Sequence, residues 1–157
     1  MKIRLATVAD IDSLLALGQT MHQESRFKVF PMNRVKTRHM AEALINNPKT
    51  ACILLAEHDT AGLIGMLGGH VADYFFCDAV VAQDNFFFVL PAHRGSAAAL
   101  KLLIAFRRWA ENRRAAELCI NMSVNVDRQR FDQFMQHLQF TQSGSNFYLP
   151  LTSKISA

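Results

Sequence analysis

Residues 84–110, DNFFFVLPAHRGSAAALKLLIAFRRWA, hold the pattern from which the rest of the chain is interpreted. The run from Phe86 to Leu90 is apolar, as in a buried strand, and Pro91 ends that strand because proline cannot donate to a ladder. A short basic turn, Ala92 to Ser96, follows. Apolar residues then recur every three or four positions from Ala99 to Ala110, which is the spacing of one helix face.

A strand, a glycine turn and a helix start in direct succession are suited to binding phosphate. The first backbone N–H groups of a helix have no intrahelical acceptor, and the helix dipole places partial positive charge at the same end. Arg94, beside Gly95, would add a forked and permanently charged donor. The stretch therefore predicts a phosphate-binding loop.

Residues 89–99, VLPAHRGSAAA, resemble the acetyl-CoA loop of the GNAT superfamily of N-acetyltransferases. The usual pattern there is V-x-P-x-x-R-G-x-G-x-G/A before a helix. Arg94 and Gly95 match, Ala99 is an allowed match, and Ala97 stands where glycine is usual. The HRGS form is similar to small members encoded by bacteriophages. The resemblance implies one acetyltransferase domain over residues 1–157, acetyl-CoA as cofactor, and a primary amine that attacks within a ternary complex.

The resemblance also assigns residues to the cofactor. In the family, the strand before the loop splays from the next strand, and the pantetheine arm pairs with its exposed backbone. The N–H of Val89 or Leu90 would then polarise the thioester carbonyl. Asn125 lies close to a position where the family often carries asparagine. The assigned residues are Phe88, Val89, Leu90, Arg94, Gly95, Ser96, Ala97, Ala98, Ala99 and Asn125.

The loss of glycine at Ala97 affects the expected affinity. Inside a first helical turn the backbone is right-handed, so Ala97 gains about 1 kcal/mol of helix propensity over glycine. Its methyl group would still hold a pyrophosphate slightly away. We therefore expect ordinary but not tight binding of acetyl-CoA.

The proposed chemistry needs a base that takes the proton of the attacking amine. Asp84 precedes the predicted strand, at a place where members of the family often carry an acidic residue; the alternative is an ordinary loop carboxylate. Glu24 is the second candidate base. Ser123 and Asn125, at the end of the next predicted strand, are candidates for positioning water.

Glu24 falls in the predicted loop 23–33, QESRFKVFPMN, which mixes charge with aromatic residues. In the resembled family this loop walls the acceptor site, so Arg26, Phe27 and Phe30 are candidate substrate contacts. The alternative is a surface loop whose aromatic side chains are tucked into the core.

The general acid is where the resemblance fails. Family members often carry Phe-Tyr before Leu-Gly-Phe in the last helix, and the tyrosine protonates the leaving thiolate. Residues 134–140, FMQHLQF, have Met135 at that tyrosine, and methionine cannot donate a proton. The loss slows such a reaction about 10²–10⁴-fold. Tyr148, on the last predicted strand, is the candidate substitute, or else a core or rim aromatic.

The rest of the chain predicts an α/β fold with helices on both faces of a mixed sheet. The order β-α-α-β-β-β-α-β-α-β matches the GNAT-like acyl-CoA N-acyltransferase fold. Glycines at 65, 68 and 69 predict a bulge or a close approach within their strand. The expected strands lie at 3–5, 50–57, 63–71, 86–90, 117–124 and 147–149, and the expected helices at 11–21, 34–45, 99–110 and 127–138.

Composition excludes several other classes of protein. A net charge of +4 with half of the residues apolar indicates a globular chain. The three scattered cysteines form no CxxC and no histidine pair forms HExxH, so we expect no metal site and reduced thiols in the cytoplasm. No segment reaches the roughly 20 apolar residues of a membrane span.

Two alternatives to this function concern partners and activity. The basic residues Lys101, Arg107, Arg108, Arg113 and Arg114 would suit nucleic acid, but positive charge at a helix C-terminus is usually a solvated face, so no nucleic-acid partner is expected. A non-enzymatic member that keeps the pocket is the main rival to an enzyme. Homodimers are frequent among members of the resembled family, and the acceptor stays open.

Overall fold

The computed structural model describes residues 1–121, 127–144 and 149. Within them, short 3₁₀ turns cover Val8–Asp10, Arg26–Val29 and Pro91–His93. The strands are β1 (Lys2–Leu5), β2 (Ala51–His58), β3 (Gly62–Asp73), β4 (Val80–Val89) and β5 (Glu117–Cys119), and the helices are α1 (Ile11–Glu24), α2 (Arg34–Ile45), α3 (Ala98–Glu111) and α4 (Arg128–His137).

The five strands form one mixed sheet in the order β1-β2-β3-β4-β5. The first four pair antiparallel with their neighbours, and β5 pairs parallel with β4 after the α3 crossover. Side chains alternate across β2: Leu54 joins the core cluster of α3, and Leu55 joins that of α1 and α2. The predicted mixed sheet with helices on both faces is confirmed.

The glycines of β3 let neighbouring groups approach closely, as the sequence predicts. The pairing register between β3 and β4 shifts at Gly68/Gly69, so that Gly68 faces Phe86 and Gly69 faces Asp84. Asn85 is the extra residue of this bulge. A Cβ atom on Gly69 would lie 2.4 Å from Cζ of Phe106, so α3 packs directly on the sheet there.

The predicted bounds of α2 are confirmed, and Asp127 caps α4 as expected, because its Oδ1 accepts from the backbone N–H of Arg130 at 3.1 Å. The start of β4 was predicted too late. This strand begins at Val80 and contains Asp84, which the sequence placed ahead of it. Polar residues 83–85 interrupt the apolar pattern, so the sequence did not indicate a strand there. The pairing with β3 shows that the strand continues through them.

Two predicted strands fall partly outside the description. Of the strand expected over 117–124, only Glu117–Cys119 forms a strand; residues 120 and 121 are described outside it, and residues 122–126 lie outside the described residues. The strand expected over 147–149 has its first two residues outside them.

Candidate active site

The candidate site lies along β4, beyond the point where its described pairing with β5 ends. The two strands pair at Val81 with Glu117 and at Gln83 with Cys119. Immediately beyond, Oδ1 of Asp84 accepts hydrogen bonds from the backbone N–H of Asn121 at 2.7 Å and from its side-chain Nδ2 at 3.0 Å. The edge of β4 after Asp84 is therefore left without a partner strand among the described residues.

Hydrogen-bond alternation decides which amides of β4 face this open edge. Leu90 donates its N–H to the carbonyl of Ile64 at 2.9 Å, so Leu90 and Ile64 form a hydrogen-bonded pair. In an antiparallel ladder such pairs alternate with pairs whose N–H groups point outward. The register then turns the N–H groups of Phe87 and Val89 to the open edge and that of Phe88 to β3. Of the two alternatives that the sequence left open for the thioester contact, Leu90 has its N–H engaged by Ile64, whereas the N–H of Val89 faces the open edge.

The loop after β4 presents several unpaired amides. Gly95 adopts φ +85°, a conformation that favours glycine. Oγ of Ser96 accepts from the N–H of Ala98 at 3.2 Å. The N–H groups of Gly95, Ala97, Ala99 and Leu100 meet no acceptor in the part of the chain that the structure describes. Such a group of free donors at a helix start is suited to an anion.

Ala97 precedes the first residue of α3 and has φ −71° and ψ 2°. Any L-residue adopts a negative φ of this kind, so the backbone does not require glycine at this position. Only the space taken by the methyl group distinguishes Ala97 from the usual glycine. The sequence argument placed Ala97 inside the first helical turn, and the structure places it one residue earlier, at the N-cap, where its φ is still negative.

Arg94 makes its described contacts with groups other than these amides. Its Nη2 donates to Oε2 of Glu24 at 2.5 Å, its Nε donates to the carbonyl of Val89 at 3.1 Å, and its guanidinium lies 5.5 Å from the ring centroid of Phe88. The sequence placed Glu24 in a loop, but in the structure it is the last residue of α1. The structure therefore joins the second candidate base to the candidate phosphate ligand.

A second arginine lies beside the loop, and sequence reasoning missed it. A Cβ atom on Gly95 would lie 3.5 Å from Nη2 of Arg130, in the first turn of α4. Within the described ranges the guanidinium of Arg130 has no ion-pair partner. Nothing in the local sequence signals this placement, because 35 residues of chain separate the two positions.

Asp84, the first candidate base, is a buried carboxylate of β4. It is 8% exposed, and this burial raises the pKa of its carboxyl above the ordinary value, while the hydrogen bonds from Asn121 act in the opposite direction. Both bonds from Asn121 end on Oδ1. Neither of these two bonds uses Oδ2.

The remaining candidates are placed as follows. Phe27 and Phe30 are 40% and 43% exposed, so the loop aromatics are not tucked into the core. Met135 is 9% exposed within the α3 core cluster and supplies no acid. The other three candidates, Ser123, Asn125 and Tyr148, lie outside the described residues.

Two further searches cover only the described part of the chain. No group of three or more His, Cys, Asp or Glu side chains in it is arranged to hold a metal ion. No described helix has the length and apolar character needed to cross a membrane. In the suggested basic patch, Arg107 pairs with Glu111 at 2.8 Å and Arg113 donates to the carbonyl of Lys49 at 2.8 Å, so both have local partners.

Comparison with known proteins finds a matching family model and several similar solved structures. The model of the acetyltransferase (GNAT) family matches residues 19–134. No curated protein sequence matches significantly. The fold is similar to that of AAC(6')-Iy in complex with a bisubstrate analog, CoA-S-monomethyl-acetylneamine, with a TM-score of 0.75, 19% identity, and coverage of 96% of this chain and 97% of the other.

Two further solved structures share the fold. One is the aminoglycoside antibiotic 6'-N-acetyltransferase AAC(6')-Ih from Acinetobacter baumannii, with a TM-score of 0.73, 23% identity, and coverage of 96% of this chain and 97% of the other. The other is ribosomal-protein-alanine N-acetyltransferase from Brucella melitensis biovar Abortus 2308, with a TM-score of 0.69, 18% identity, and coverage of 96% and 100%. At these identities the likeness concerns the fold alone.

Proposed function

The chain belongs to the acetyltransferase (GNAT) family, and from that premise we propose that it transfers an acetyl group from acetyl-CoA to a primary amine by direct attack within a ternary complex. Acetyl-CoA is the cosubstrate consistent with this membership. The observation that carries the proposal is an interrupted row of free donors among the described residues: the outward N–H groups of Phe87 and Val89 at the open edge of β4, and those of Gly95, Ala97, Ala99 and Leu100 at the start of α3.

The residues of this row fit the cosubstrate. Its amides at Gly95, Ala97, Ala99 and Leu100 would bind the pyrophosphate, and Arg130 would add positive charge beside them. The outward N–H groups of Val89 and Phe87 would meet the pantetheine arm and the thioester carbonyl. The bound cosubstrate supplies an activated acetyl group.

Three groups of this chain would act on the reaction. An outward amide of β4 stabilises the negative charge that develops on the carbonyl oxygen; such a preorganised donor contributes about 2.7–4 kcal/mol. Oδ2 of Asp84 accepts the proton of the amine, directly or through one water molecule. Met135 gives no proton to the leaving thiolate, and Tyr148 stays the candidate donor.

A catalytically weak or inactive acetyl-CoA-binding module is the alternative, and the burial of Met135 at the usual tyrosine position favours it. Release of free thiol from acetyl-CoA, measured across amines and peptides, separates the two. The enzyme predicts thiol release together with an acetylated product of the added amine, detected by mass spectrometry. Tight CoA binding without release by any acceptor would support the module.

The acceptor, the homodimer and the cytoplasmic location stay predictions. Aminoglycosides and peptide N-termini are sensible first members of the acceptor panel, because related folds carry N-acetyltransferases of both kinds. Similarity to bacteriophage-encoded members likewise stays a prediction. Analytical ultracentrifugation would test the dimer.

A further inference from the structure

Arg94 is held at three points by groups outside the anion-binding amides. Nη2 contacts Oε2 of Glu24, Nε contacts the carbonyl of Val89, and the guanidinium lies over the ring of Phe88. A phosphate that took the Nε and Nη2 donors would have to displace the carbonyl of Val89 and the carboxylate of Glu24. Two of the N–H donors of the guanidinium are therefore already engaged by the protein.

Glu24 immediately precedes residues 25–33, which we call the acceptor loop. Ser25, the next residue, is 5% exposed, and its Oγ accepts from the N–H of Phe27 at 3.1 Å. At the other end of the loop, Met32 lies against Gly18 of α1. Both ends of the loop therefore pack against the rest of the protein, and the carboxylate of Glu24 contacts Arg94, just after β4.

We infer that Glu24 and Arg94 are a positioning pair, which ties the acceptor loop to the end of β4, and not a base and a phosphate ligand. The inference rests on the proposed function. Both partners are partly exposed, with side-chain exposures of 25% for Glu24 and 33% for Arg94. The carbonyl that Arg94 binds belongs to Val89, whose N–H faces the cosubstrate edge. Occupation of that edge is therefore transmitted to the acceptor loop through Arg94 and Glu24.

Hydrogen exchange with CoA as the only added ligand tests the inference without a known acceptor. CoA binding to the wild type should slow amide exchange in residues 25–33 by about fivefold or more. Glu24→Gln and Arg94→Gln should each abolish that protection, yet bind CoA within about threefold of the wild type by calorimetry. Arg94→Lys, which keeps the charge and loses the Nε bond, should also lose protection. Asp12→Asn is the matched control and should retain it, because Asp12 lies on the same helix as Glu24 and forms an exposed pair with Arg38 of α2.

Two results would overturn the positioning role. One is an affinity for CoA that falls more than about tenfold in Arg94→Gln but not in Glu24→Gln, which is the behaviour of a phosphate ligand. The other is undiminished protection of residues 25–33 in folded Glu24→Gln or Arg94→Lys protein. Failure of the wild type to bind CoA at all would instead overturn the proposed function, and the positioning role with it.

Discussion

The carboxylate of Asp84 bridges β4 to Asn121 at the point where β4 and β5 cease to pair. Oδ1 accepts from both the backbone and the side chain of Asn121, at 2.7 and 3.0 Å. The bridge fixes one oxygen and orients the other. We expect a group placed in this way to act on a substrate bound along β4 beyond this point.

Asp84→Asn should lower turnover about 10²–10⁴-fold, because the amide has nearly the shape of the carboxylate but does not accept a proton. Affinity for CoA should stay within about threefold, since Asp84 lies away from the anion-binding amides. Steady-state rates and calorimetry on the same preparations measure both. Asp78→Asn, in the exposed turn before β4, is the control. Unchanged turnover in Asp84→Asn would place the base elsewhere.

Asp84 should also give the unfolding free energy a definite dependence on pH. Burial raises the pKa of the folded-state carboxyl above its ordinary 3.8, so the folded protein binds this proton more tightly than the unfolded chain does. The stability that the tighter proton binding provides is complete below pH 3.8 and is lost as the pH rises through the folded-state pKa. The wild type should therefore lose stability relative to Asp84→Asn over that interval.

Urea denaturation of the wild type and Asp84→Asn across the acid range measures the difference. Asp10 acts in the opposite sense, because its hydrogen bonds to Arg4 lower its pKa and its contribution disappears as the pH falls. Since both proteins contain Asp10, the difference curve isolates Asp84. A flat difference curve would contradict the raised pKa.

Arg130→Gln should weaken CoA binding about tenfold, the loss expected for one charge-assisted hydrogen bond, and should reduce the dependence of the dissociation constant on salt. Calorimetry at two salt concentrations measures both effects. Arg128→Gln is the matched control, because Arg128 lies in the same helical turn and faces Asp132 at 3.8 Å. Equal affinities for the two variants would remove Arg130 from the cofactor site.

Gly69→Ala should lower the free energy of unfolding by about 1–3 kcal/mol, through overpacking. The added methyl group would lie 2.7 Å from the backbone oxygen of Gln83 as well as 2.4 Å from Phe106, and the backbone oxygen cannot move aside by a rotamer change. Gly144→Ala is the control, with nothing within 4 Å of the new atom, and should change stability by less than about 0.5 kcal/mol. Equal denaturation midpoints would contradict the close contact of α3 with β3.

The local features of this fold could be predicted from sequence, because each rests on residues close together in the chain. The bounds of α2 and the cap at Asp127 are such features. Which amides of β4 point outward could not be predicted in this way, because that depends on which residue pairs of β4 and β3 are hydrogen-bonded. The bond from Leu90 to Ile64 fixes the alternation, and no pattern within β4 encodes it.

The partners of the site residues were harder still to predict. Glu24 and Arg94 are 70 positions apart, and Arg130 reaches Gly95 only through the packing of α4 beside the loop. The family motif predicted a phosphate ligand at Arg94 because it describes residue types along one segment. Which neighbour engages that guanidinium is decided by the tertiary fold.

Titration of ¹⁵N-labelled protein with CoA, followed by backbone amide chemical shifts, tests the central claim most directly. The amides of Gly95, Ala97, Ala99 and Leu100 should shift most, together with those of Val89 and Phe87 on the open edge of β4. Shifts confined to the basic end of α3, around Arg107 to Arg114, or no shifts at millimolar CoA, would contradict a cosubstrate site at this loop.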